Sequence, residues 1–181
     1  MSLLNNNGEE LPRAIVSAIL FKNVDRKHLF YLQTRWKPTV SPMYSGMVEV
    51  PAGCIDSYEN VYDALRREVK EETNLDIVRI VGDYQGEVIQ PRHGDKAFVF
   101  KPFICQQTLE TNGGLPWIGF VFLCEVEGEV NTDNTEAKNP RWVSIEDLKQ
   151  IVENEAEHIF PLQLPVLKYV VDNCEYINSD L

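Results

Sequence analysis

Apolar positions along this chain fall mostly into short β-branched and aromatic runs, separated by turn residues. Residues 13–21 (RAIVSAILF) read as a strand, 23–27 as a turn and 28–35 (HLFYLQTR) as the returning strand. Pro38, Pro42 and Gly46 make residues 37–46 a loop. Residues 47–50 (MVEV) are a short strand in which Glu49, between two valines, is expected to face outward, and Pro51-Ala52-Gly53 is a turn. Residues 75–90 are strand-rich, with Gly82 and Gly86 as bulge candidates. A turn at 91–95 containing His93 leads into a strand region over 96–109 broken at Pro102. After a loop at 111–116, residues 117–126 (WIGFVFLCEV) are the most apolar stretch and read as a core strand. Trp117 at its mouth reads as core in preference to a base-stacking platform. Residues 128–140 are polar, and 141–143 form a strand. Ser144 caps a helix over 145–153, with Asp147 in the capping-box position. A last helix covers 165–173, with Pro165 in its first turn. Residues 1–12, polar and Asn-rich, are expected to be a poorly ordered terminus.

The one long helical pattern lies between these strands. No Pro or Gly interrupts residues 57–73. Asp56 is the expected N-cap, Glu59 completes a capping box, and Asn74 stands where a helix ends in a left-handed residue. Winding the residues at about 100° each puts Val61, Ala64, Leu65 and Val69 on one side. Glu59, Arg66 and Lys70 fall opposite. Glu68, Glu71 and Glu72 gather at the C-terminal end of the apolar side. Negative charge there opposes the helix dipole, at ~0.3–1 kcal/mol each, and like charges one turn apart repel. Such a placement calls for a cation, and carboxylates without nearby His or Cys ligands favour Mg²⁺ or Mn²⁺ over Zn²⁺.

Gly53, five residues, Glu59, seven residues, then Arg67-Glu68-Val69-Lys70-Glu71-Glu72-Thr73 and an apolar Leu75 resemble the signature box of the Nudix hydrolases. Asn74 replaces the family's usual Gly, and Asn is the next most tolerant residue for positive φ. The resemblance covers about residues 13–150 and implies an α+β fold, an α/β/α sandwich with a mixed sheet between helices. It implies Mg²⁺, with Mn²⁺ as substitute, held by Glu68, Glu71, Glu72 and the carbonyl of Ala52. Arg67 is expected to hold the carboxylates in place, and Glu59 to be structural. Arg35 and Glu49 are implied to meet the substrate. Glu136, six residues before Trp142, is the implied base, with Glu68 and Asp133 behind it. The Pro-Ala-Gly string resembles the branch acting on ADP-ribose and nucleotide sugars. A nucleoside triphosphate pyrophosphatase and a non-hydrolytic nucleotide sensor are the alternatives. An isomerase branch would need a catalytic Cys and a His-rich metal site, and the three His are scattered.

Length and composition fit one domain over residues 1–181. A net charge of −11 disfavours nucleic acid polymers and anionic membranes as partners. The expected partner is a small nucleotide; a homodimer is a family-level expectation. Cys54, Cys105, Cys124 and Cys174 lack metal-ligand spacing and read as buried free thiols of a reducing, cytoplasmic setting. No apolar run reaches membrane-spanning length.

Overall fold

The computed structural model describes residues 4–112, 114, 116–131 and 136–174. Asp133 lies outside the described residues. Residues 4–10 close a turn in which the Asn5 side chain accepts from the Asn7 and Glu9 N–H groups.

β1 (Arg13–Val24) and β2 (Lys27–Arg35) are joined by two residues only, Asp25 and Arg26, at φ of 48° and 65°. Such a turn matches the twist of its strands, so both strands run further than the expected five-residue turn allowed. Pairing between them ends at Phe21 and Phe30, and below that point the sheet forks. The lower half of β1 pairs with β4 (Ala52–Cys54), and the end of β2 with β3 (Val48–Glu49). Val50 and Pro51 span the fork, where Ala18 N–H donates to the Pro51 carbonyl. The expected turn at 51–53 is thus largely strand, because β1 offers it an open edge once β2 has diverged.

β11 (Trp117–Glu127) runs parallel to β1, with β10 (Ile104–Gln107) and β5 (Asp76–Val81) on its far edge. β12 (Ala137–Val143) lies along β2, giving a mixed sheet in the order β10–β11–β1–β2–β12. β12 starts earlier than expected because Pro140 sits at a register shift between Lys138 and Arg141, where its missing N–H breaks no ladder bond. The 75–90 region is not continuous: Gly82, at φ 65°, ends it. Beyond it, β6 (Tyr84–Gln85) pairs with β9 (Phe100–Lys101), and β7 (Ile89–Arg92) with β8 (Asp95–Ala97), outside the main sheet.

Helix α1 (Val61–Thr73) begins later than expected. Tyr58, at φ 63°, reverses the chain, and Asn60 rather than Asp56 caps the helix by accepting from Tyr62 N–H. The Glu59 carboxylate still accepts from Asp56 N–H, but in the turn before the helix. Asn74 ends α1 at φ 65°, and its amide donates to the Glu129 carbonyl. α2 (Ile145–Asn154) carries the expected reciprocal Ser144–Asp147 cap, and α3 (Leu164–Asp172) follows. Even-numbered residues of β1 (Val16, Ala18, Leu20) pack with Val61, Ala64, Leu65 and Val69 of α1. On the other face, Ile19 and Phe21 pack with Leu148 and Ile151 of α2 and Val166 and Val170 of α3. The sheet is therefore sandwiched, with α1 on one side and α2 and α3 on the other. Among the cysteines, all free, only Cys124 is buried; Cys54 and Cys105 are exposed, because they lie on short edge strands.

The segment before α3 ties the fork shut. Ile159 bridges Val48, Phe160 N–H donates to the Val48 carbonyl, and the buried Gln163 amide both accepts from Val50 N–H and donates to the Val50 carbonyl. Gln163→Ala leaves both buried backbone groups unpaired and is predicted to lower the unfolding free energy by about 2–4 kcal/mol in urea titrations.

Candidate active site

The fork opens on a cavity of about 590 Å³. From α1 come Glu68, Glu71 and Glu72; from β3, Glu49; from β2, Arg35; from the following loop, Lys37; and from the segment before β12, Glu136. Ala52 and Gly53 of β4 form part of the wall, and Phe160 and Gln163 close it from the other face. Of the site residues expected from the sequence, Glu49, Glu68, Glu71, Glu72, Glu136, Arg35 and Ala52 line this one space; Arg67 does not, and Asp133 lies outside the described residues. Five carboxylates face two cations across it.

Each local geometry has a cause. Gly53 is needed for space: a Cβ there would fall 1.9 Å from Glu68 Cδ. Ala52, opposite Ser17, occupies an alternate position of the ladder, because the hydrogen bonds join Ala18 to Pro51 and Ile55 to Ala14. Its carbonyl therefore points away from β1. Arg67 lies behind the carboxylates. Its Nε donates to Glu59 Oε1 and its Nη2 to Glu59 Oε2, both at 2.8 Å, and Nη1 donates to Glu68 Oε1 at 2.7 Å and pairs with Glu71 Oε2 at 3.5 Å. Nη2 also donates to the Cys54 carbonyl, fixing the turn against the helix.

Glu49 does not face outward as its alternation suggested: it is 3% exposed, paired with Arg35 at 3.0 Å. The reason is β3's position in the fork, where its residue opposite Gln33 turns toward α1. Glu72 is 5% exposed, and Gln33 Nε2 donates to it at 2.6 Å. Burial, then the neighbouring Glu49 charge, pushes the Glu72 carboxyl up to about 8, against the Gln33 hydrogen bond and the Lys37 charge. Burial also raises Glu49, opposed by Arg35, and Glu68, opposed by Arg67. Glu136 is half exposed, its carboxylate 2.6 Å from Lys37 Nζ.

Gln33, Lys37, Phe160 and Gln163 are site residues the sequence reading missed. Gln33 had a signal, since it alternates with Arg35 on one face of β2 after an apolar run. Phe160 and Gln163 had none; Gln163 lies 113 residues from Val50, which it holds. Among the described residues, no three His, Cys, Asp or Glu side chains stand together as a ready cation cage. Arg67, Gln33, Arg35 and Lys37 each hold a carboxylate in its present place. The donor set nonetheless fits a hard divalent ion: carboxylates around one space, the Ala52 carbonyl turned away from β1, no lining histidine, and a Glu72 carboxyl raised by burial and by the Glu49 charge.

A family model described as NUDIX domain matches residues 11–163. No curated protein matches the sequence. Among solved structures, a possible asymmetric diadenosine tetraphosphate hydrolase from Jonesia denitrificans is similar at a TM-score of 0.61 and 15% identity, over 94% of this chain and 97% of that one. The MutT protein from Methanosarcina mazei gives 0.60 at 19% identity, over 92% and 98%. The NUDIX domain of Shewanella oneidensis NrtR, complexed with ADP ribose, gives 0.57 at 13% identity, over 81% of each. At these identities the likeness is one of fold. The chain belongs to the Nudix family, and its class of chemistry is that of the pyrophosphohydrolases. Among the described residues no helix is long and apolar enough to cross a membrane.

Arg67 holds the Glu59 carboxyl down at about 2, against an ordinary 4.5. The stability this pair contributes is complete above pH 4.5 and lost as pH falls toward 2. Glu59→Gln is therefore predicted to destabilise the protein near neutrality, with the gap to the parent closing through that window. Urea midpoints measured across it check this.

Proposed function

We propose that this chain is a Mg²⁺-dependent hydrolase of the pyrophosphate linkage in a nucleoside diphosphate derivative, ADP-ribose or a nucleotide sugar, and that residues 1–181 form one domain for that task. What supports the reading is the convergence of Glu49, Glu68, Glu71, Glu72 and Glu136 on one cavity beside Arg35 and Lys37. Glu68, Glu71, Glu72 and the Ala52 carbonyl would hold the ion, with Mn²⁺ as substitute. When bound, Mg²⁺ neutralises phosphate oxygens and eases deprotonation of a coordinated water.

The chain's own residues supply the rest. Arg67, anchored on Glu59, fixes Glu68 and Glu71 so that little reorganisation is needed at the moment of reaction. Arg35 is set to meet substrate phosphate oxygens. Glu49 on one side and the Phe160 ring, 4.8 Å from its guanidinium carbon, hold it in place. In this reading Glu49 acts on substrate through Arg35. Glu136 accepts the proton of the attacking water once Lys37 turns to the substrate's phosphates. Glu68, whose carboxyl is raised by burial, is second in that role.

ADP-ribose, a nucleotide sugar, a dinucleoside polyphosphate and a nucleoside triphosphate, each assayed with Mg²⁺ for released monophosphate or pyrophosphate, test the reading. The first two are expected to turn over fastest. Glu72→Gln is expected to cut turnover by about 10²–10³-fold while leaving the metal-free melting temperature unlowered. Normal turnover by this variant would overturn the assignment of Glu72. Binding of ADP-ribose without product under Mg²⁺ or Mn²⁺ would favour a sensor, and preference for the triphosphate would move the substrate class.

A further inference from the structure

One side chain in the fork has a placement that stability does not explain. Gln33 of β2 is 1% exposed, and both hydrogen bonds of its side chain go to acids. Its Nε2 donates to Glu72 Oε2 at 2.6 Å and to Glu49 Oε1 at 3.4 Å. Glu49 is its partner across the β2–β3 pair, and Glu72 lies on α1. A single amide therefore joins the strands of the fork to the helix beside them. Its direction follows from chemistry, since only the nitrogen end carries hydrogens and carboxyl oxygens accept them. The other end goes unsatisfied: Gln33 Oε1 is buried and meets no donor among the described residues. A side chain placed for stability alone would pair both ends, because an unpaired buried acceptor is costly.

The charge of this clamp matters as much as its position. Elsewhere around the cavity cations hold the acids. Arg67 holds Glu68 and Glu71, Arg35 holds Glu49, and Lys37 holds Glu136. Glu72, the most buried of the three α1 acids, accepts instead from a neutral amide. A guanidinium or ammonium at this point would balance the acid's charge and compete with an incoming cation. An amide fixes the direction of the carboxyl and leaves its charge for another partner. Tyr31, two residues earlier on the same face of β2, is 1% exposed and lies in the field of Glu72 and Glu49. Its hydroxyl has no partner among the described residues, so it is Gln33, not Tyr31, that holds Glu72.

We propose that Gln33 is a positioning residue for the metal site: a neutral clamp that fixes Glu72 against Glu49, so that Glu72 meets a divalent cation in one orientation. This rests on the reading that Glu72 is a metal ligand. Gln33 stands behind the cavity wall and acts through Glu72, which lines the cavity. No proton or bond change is assigned to it.

Calorimetric titration with Mg²⁺, in the absence of substrate, tests the proposal without requiring turnover. Gln33→Leu, apolar and of similar size, is expected to weaken Mg²⁺ binding by about 10–100-fold, the scale of an outer-shell contact. Gln33→Lys puts a charged donor in the same place and is expected to bind Mg²⁺ more weakly still. A role in packing alone gives the reverse order, since the lysine can pair with Glu72 and the leucine cannot. Tyr31→Phe, on the same buried face, is expected to keep the parent's affinity. The spin-resonance signal of bound Mn²⁺ is expected to broaden in Gln33→Leu, because a loosened ligand samples several geometries. Should the Gln33 variants fail to fold, the parent decides: its Gln33 side-chain amide signals in NMR spectra are expected to shift when Mg²⁺ is added. Amide signals that Mg²⁺ leaves unmoved, parent-like affinity in Gln33→Leu or Gln33→Lys, or an equal loss in Tyr31→Phe would overturn the clamp. A parent that binds no Mg²⁺ would overturn the metal reading and the clamp together, so the two failures are told apart.

Discussion

The constraint that organises this molecule is the burial of acidic side chains at the fork of a sheet. Glu72 and Glu49 are almost wholly out of solvent and within Coulomb range of each other. Taking one carboxylate from water without a full counter-charge costs several kcal/mol, and such a group escapes the cost by keeping its proton. Gln33 offers Glu72 a neutral donor and Arg35 offers Glu49 a charge, so the pair is only partly compensated. A divalent ion at the same place would complete the balance. On the proposed reading, the fold keeps the Glu72 carboxyl raised so that it gives up its proton to such an ion.

The remaining architecture serves to keep that fork rigid. β1 and β2 diverge, and two short strands and a proline fill the gap. Short strands are weak alone, so the fork is tied from both faces. On the α1 side Arg67 joins Glu59, Glu68, Glu71 and the Cys54 carbonyl. On the α3 side the Gln163 amide takes the place of a missing strand neighbour for Val50. Phe160 and Gln163, from the segment before α3, are thus part of the cavity wall. The same segment brings Phe160 against Arg35.

Local signals in the sequence were read correctly where the chemistry was local. Asn74 at a left-handed helix end and the Ser144–Asp147 cap each depend on neighbours a few residues away, and both are present. The start of α1 was misplaced because Asp56 and Asn60 are both competent caps with an acid three residues on; the left-handed Tyr58 between them decides for Asn60. Periodicity placed three box carboxylates at one end of a helix face, and the structure puts all three on the same cavity. It misjudged Glu49, since valine-flanked alternation cannot tell a solvent face from a buried acidic pocket. Gln163 and Lys37 were illegible for a simpler reason. Their partners, Val50 and Glu136, are about a hundred residues distant, and only the closed fold brings them together.

On the proposed reading, Glu72 is a buried carboxylic acid that gives up its proton to a metal ion. With the Glu72 carboxyl at about 8, Mg²⁺ binding near pH 6.5 should release about one proton per ion, and almost none above about pH 9. Calorimetric titration with Mg²⁺ in buffers of different ionisation enthalpy measures that number directly. Release that follows this course, and disappears in Glu72→Gln, is the expected result. Binding with no proton release at the lower pH, or no binding at all, would contradict the claim.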